Sequence, residues 1–165
     1  MLCVSDHITV EQLKRYATVM RDDEKAGDRP QAAVRSMIRL LPDVYKTVRP
    51  ADLLKAPVIQ VVTAAKVLHF VMQDVVIPRF ETLADEPAVE REASAFDDYD
   101  REEGYEDEEE DGSLWDSCLE TVEVITRAAI TLLRQSYTDT MQEEVGPLID
   151  HIKWEIDNRP QQEGG

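Results

Sequence analysis

Fifteen consecutive residues, Asp97–Asp111, read DDYDREEGYEDEEED and hold eleven acids against a single base, Arg101. A packed core cannot absorb such a run, because buried carboxylates need partners and only one cation is at hand. The run therefore predicts a solvated, disordered linker whose like charges repel and extend it, with folded segments on either side. From Glu81 to Gly112 there are sixteen acids and two bases, so about fourteen of the net −17 charges fall there and the flanks are close to neutral. Phosphate-backbone binding needs clustered Lys and Arg, which this distribution lacks, so no direct nucleic-acid partner is expected.

Both flanks read as helices. Thr9 and Gln12 have capping-box spacing, Ile8 and Leu13 have staple spacing, and Leu13, Tyr16, Ala17 and Met20 then share one face of a helix running to about Asp23. Pro30 opens a second helix carrying Ala33, Val34, Met37, Ile38 and Leu41, which Pro42 stops. A short turn around Val44–Val48 follows, and Pro50 restarts the chain. Pro57 reads as the first position of the longest apolar segment, Val58–Ile77, whose stripe of Val58, Val61, Val62, Ala65, Leu68, Met72, Val75 and Val76 predicts the central helix of an N-terminal bundle ending at Pro78. Ser113 and Asp116 make a capping box before Trp115, Cys118, Leu119, Val122, Ile125, Ala129, Leu132 and Leu133. Ser136–Asp139 predicts a loop and new cap, Met141–Val145 a short helix broken by Gly146-Pro147, and Leu148, Ile149, Ile152 and Ile156 a last helix ended by Asn158-Arg159-Pro160. The expected fold is all-α, about six to seven helices in two small units. Residues 1–80 form the first, 81–112 the linker, 113–160 the second, and 161–165 a disordered tail.

Motifs for chemistry are tested one at a time. Asp107, Glu109, Asp111 and Gly112 have the outline of an EF-hand loop, but the twelfth position, where a bidentate glutamate must close the shell, is Cys118. Asp116, Glu120 and Glu123 share a helical face, and Glu120–Glu123 matches the E-x-x-E half of the magnesium site in all-α nucleotide pyrophosphatases. The E-x-x-D that should follow is absent, because Glu143 and Glu144 are followed at the third place by Gly146 and Pro147. His69 has no ligand one turn away, and it reads as a half-buried histidine with an ordinary hydrogen bond; His7 and His151 are similarly alone. Cys3 and Cys118 fit neither a disulfide framework nor a metal spacing and predict reduced thiols in a cytoplasmic protein. No charged segment followed by an apolar one suggests a signal peptide, and no membrane span is expected. No catalytic, cofactor-binding or metal residue is assigned.

Several blocks carry a resemblance. Ile8-Thr-Val-Glu-Gln-Leu13, Leu40-Leu-Pro-Asp43, Pro50-Ala-Asp-Leu-Leu54, Arg134-Gln-Ser-Tyr-Thr-Asp-Thr-Met141 and Val145-Gly-Pro-Leu-Ile149 together resemble the tail assembly chaperones of long-tailed bacteriophages. The resemblance implies a protein with no reaction and no cofactor, acting in the host cytoplasm. Its partner would be the long helical tape measure protein, and tail tube subunits too, bound until tail polymerisation displaces it. Such a holder needs an apolar groove for amphipathic helices. The candidate groove faces are Val61, Leu68 and Met72 in the first half and Trp115, Leu119, Val122 and Leu133 in the second. The same faces make self-association an expectation. A different class, an acidic DNA mimic that inhibits a host nucleic-acid enzyme, is the first alternative, raised by the acidic run, and a degenerate all-α magnesium-dependent nucleotide pyrophosphatase built on Glu120 and Glu123 is the second.

Overall fold

Thr9 and Gln12 close the start of the first helix reciprocally. The Thr9 N–H donates to Gln12 Oε1 at 3.0 Å and the Gln12 N–H to Thr9 Oγ1 at 3.2 Å, satisfying two otherwise orphaned donors. Helix α1 runs from there, Val10–Ala26. The computed structural model describes residues 7–26, 39–84, 89 and 113–160. The acidic run with its calcium-like loop, most of the helix expected from Pro30, Cys3 and the tail 161–165 lie outside the described residues. A helical stretch, 39–44, follows, then α2 Pro50–Lys55, α3 Val58–Phe70, a π-helical segment Val71–Val76, α4 Ile77–Ala84, α5 Leu114–Leu133, α6 Tyr137–Gln142 and α7 Val145–Asn158. Among the described residues the fold is all-α, with no strand.

Four proline positions depart from the sequence reading, the first being Pro42, which lies inside the helical stretch 39–44 that it was expected to stop. Pro78 does not end the long helix. Proline's ring collides with the carbonyl four residues back and supplies no N–H, but here the preceding turn is widened so that the Ile77 N–H donates to Met72 O, five residues back. The backbone continues through Pro78 to Ala84, so the first helical unit extends past residue 80. Gly146-Pro147 likewise does not interrupt a helix, because both fall in the first turn of α7 after Glu144 caps it, where a missing N–H has no partner to lose. Pro57 sits one place earlier than expected, as the N-cap of α3.

The flanks of the acidic run share one core. The Val10 N–H donates to Glu143 O at 3.0 Å and the Val145 N–H to Ile8 O at 2.8 Å, pairing the backbone at the start of α1 with that at the start of α7. Helix α1 lies along α5, and α4 packs on α5 and α7. Leu13 and Tyr16 of α1, Leu68 of α3, Met72 of the π segment, Ile125 of α5, and Leu148 and Ile149 of α7 belong to a single buried cluster. The two expected helical units are thus interlocked, a relation the sequence left open. One cooperative unfolding transition is expected, coincident by far-UV circular dichroism and tryptophan fluorescence. Leu13→Ala or Ile149→Ala should each lower stability by about 2–5 kcal/mol without splitting it, since each removes a fully buried side chain from the common core.

Candidate partner-binding surface

The residues expected to line a groove do not form one. Val61, Leu68, Met72 and Val122 are buried in the shared core. The stripe on α3 and the π segment that looked available from sequence is the stripe the rest of the bundle covers. Trp115 and Leu133 are half-buried and pack against that core, with the Trp115 ring meeting Tyr16 edge-on at 5.7 Å. Leu119 is half-buried on α5. Trp115 thus joins the two flanks, and Leu133 packs on the core they share.

The open apolar surface lies on the opposite side of the same helix. Leu54 is 79% exposed, Val58 77%, Ile59 71% and Phe70 60%, with Val67 and Val75 exposed beside them. Ile59, Thr63, Lys66 and Phe70 recur along one exposed face of α3, a ridge with Val58 and Val67 on either side of it, Leu54 of α2 before it and Val75 of the π segment after it. It arises because apolar residues spread beyond the buried side of α3: Val58, Ile59, Val61, Val62 and Val67 fall all around its axis, with Gln60, Thr63 and Lys66 among them on the outside, and a bundle on one side can cover only part of them. Val58–Arg79 is the one described helix long and apolar enough to cross a membrane, with a mean hydropathy of 1.4, yet Leu68, Met72 and Val76 tie its inner side into the protein core. Singly exposed apolar residues are ordinary, whereas six in 22 residues, from Leu54 to Val75, make this stretch the candidate interaction surface.

Behind the ridge lies a polar trio. Gln73 Nε2 donates to Tyr16 Oη at 3.0 Å, and the same Oη is hydrogen-bonded with His69 Nδ1 at 2.7 Å. His69 is therefore the half-buried, hydrogen-bonded histidine that its lone spacing suggested. Its partner is 53 residues away in sequence, and for that reason could not be named from it. Burial pushes the Tyr16 phenol up to about 12, against a smaller downward pull from the Gln73 amide. Burial also holds the His69 pKa below its ordinary value, opposed by the Asp23 charge. Both side chains are uncharged near neutral pH, and the trio fixes α1 against α3 and the π segment.

The carboxylates considered for magnesium are engaged separately. Asp116 lies 3.7 Å from Arg21, and Glu123 lies 3.9 Å from Arg127. Among the described residues no three His, Cys, Asp or Glu side chains gather as a metal site. A depression of about 450 Å³ between α1, residues 39–44 and α6 is lined by charges that largely face one another, with Glu11 3.1 Å from Lys46 and 3.3 Å from Arg15. Those contacts hold the Glu11 carboxyl below its ordinary range, the Lys46 hydrogen bond first. The Cys118 thiol is buried. In comparison with known proteins, no family model, curated protein or solved structure matches this chain.

The trio makes stability depend on pH at both ends. As pH falls below about 6.5 the unfolded chain takes up a proton at His69 before the folded one does, so stability declines there. Above pH 10 the unfolded phenol ionises while the folded one holds its proton until about 12, so stability declines again across that window. Tyr16→Phe should flatten the alkaline limb relative to wild type. At neutral pH it should cost about 1–3 kcal/mol by leaving His69 and Gln73 unpartnered. Denaturant titrations of both proteins at several pH values check this.

Proposed function

We propose that this protein is a non-enzymatic assembly chaperone of long-tailed bacteriophage tails, acting in the host cytoplasm to hold the tape measure protein before polymerisation. The observation that carries the reading is the exposed apolar ridge from Leu54 to Phe70. A long amphipathic helix offers an apolar face of matching shape, and helix-on-helix docking is the ordinary way such surfaces are used. The strong net charge of −17 supports the same role, since it keeps a complex with an aggregation-prone partner dispersed.

The segments that resemble this chaperone family occupy structurally important places. Ile8–Leu13 forms the capped start of α1, and Pro50–Leu54 builds α2 at the head of the ridge. Arg134–Met141 makes the turn into α6 and most of that helix, and Val145–Ile149 opens α7. The docking surface proposed is the ridge, in place of the groove expected from the sequence. Tail tube subunits are a second class of client for the same face.

Co-expression with overlapping tape measure fragments tests the proposal. At least one fragment should become several-fold more soluble in the presence of this protein. Ile59→Asp, at an exposed position, should abolish the gain while leaving the thermal transition in place. Absence of any gain across all fragments rejects the function.

A further inference from the structure

Between Asp52 and Asp74 the chain carries no carboxylate, although 35 of its 165 residues are acidic. The fully charged side chains in that interval are Lys55 and Lys66, both exposed. Lys66 stands within the ridge, since Ile59, Thr63, Lys66 and Phe70 recur at the spacing of one helical face. The Thr63 hydroxyl is turned back to the Ile59 carbonyl at 2.7 Å, so it is already satisfied by its own helix. Among the described residues neither lysine has a carboxylate within ion-pair distance, whereas Arg15, Lys46, Arg49 and Arg79 each face one. The apolar ridge of a strongly acidic protein thus carries Lys66 with no carboxylate in ion-pair distance among the described residues, and Lys55 stands at its head within the field of Asp52.

The geometry points to a specific occupant: a partner helix whose apolar stripe is flanked by carboxylates, laid along Ile59–Phe70 with its acids toward Lys55 and Lys66. This rests on the reading of the ridge as a docking face and adds the chemistry of what docks. Apolar contact along the ridge supplies affinity, and the lysines select the partner and fix its orientation. A second copy of this chain fits less well. A two-fold pairing centred on the ridge would bring Lys66 of each copy close to the other, in chains that already carry −17 each.

The full-length protein is titrated with two fluorescein-labelled helical peptides that share one leucine–alanine stripe, flanked in one by glutamate and in the other by glutamine. Fluorescence anisotropy at physiological ionic strength should show the glutamate peptide binding about fivefold more tightly, with the difference shrinking at high salt. Lys66→Glu should weaken the glutamate peptide and leave the glutamine peptide unchanged. Ile59→Asp should remove both, and an unchanged thermal transition shows that each variant is folded. Equal affinity for the two peptides overturns the proposal. So does a concentration-dependent dimer in sedimentation velocity that Ile59→Asp dissolves, which assigns the ridge to a second copy, or vesicle flotation lost in the same variant, which assigns it to lipid. If tape measure fragments stay insoluble while the peptide preference holds, the chaperone reading falls and the ridge chemistry stands. If wild type and Ile59→Asp solubilise the fragments equally, the chaperone reading stands and the ridge assignment falls.

Discussion

Two backbone hydrogen bonds, Val10 N–H to Glu143 O and Val145 N–H to Ile8 O, fasten the entry of α1 to the entry of α7. From that clamp α1 is directed along α5, so that Leu13 and Tyr16 enter a core shared with Ile125, Leu148 and Ile149. The peptide groups involved are already committed at helix starts, where N–H donors lack intrahelical partners, and the clamp satisfies two of them. Because the chain is joined at this point as well as through residues 85–112, the folded body does not depend on the acidic run to keep its parts together.

The same packing decides which side of α3 is left open. A helix with apolar residues all around its axis must be surrounded or left partly uncovered. Here the side bearing Val61, Leu68 and Met72 is buried in the shared core, and the Tyr16–His69–Gln73 trio ties α1 to the helix at a set rotation about its axis. Ile59, Val67 and Phe70 are then exposed as a consequence of geometry. The open ridge and the closed core are two results of one rotational setting, and a change in the trio acts on both.

What could be read from the sequence was what is locally determined. The Thr9–Gln12 cap, the Ser136 cap and the end of α7 near Asn158 depend on a few adjacent residues, and all appear as expected. The stripe of Val61, Ala65, Leu68, Met72 and Val76 is the side that the structure buries, as its periodicity indicates, but periodicity does not say whether such a stripe meets a partner or the protein's own core, nor that Ile59 and Phe70 stand exposed behind it. A better signal was the missing carboxylate between Asp52 and Asp74, which marks the helix as unlike the rest of an acidic chain. Pro78 was misread for a related reason. The rule that proline ends a helix assumes an α-turn before it, and the structure changes that turn.

The widened turn at Val71–Val76 has a consequence for how this region tolerates change in length. A turn closed five residues back contains one residue more than an α-turn, so the long helix carries one residue of slack immediately ahead of Pro78. Deleting a residue there would return the turn to α geometry and bring the proline ring against the carbonyl four residues before it. Proline thus holds the extra residue in place. In a lineage of related chains, loss of the proline and loss of one residue from this turn should therefore travel together.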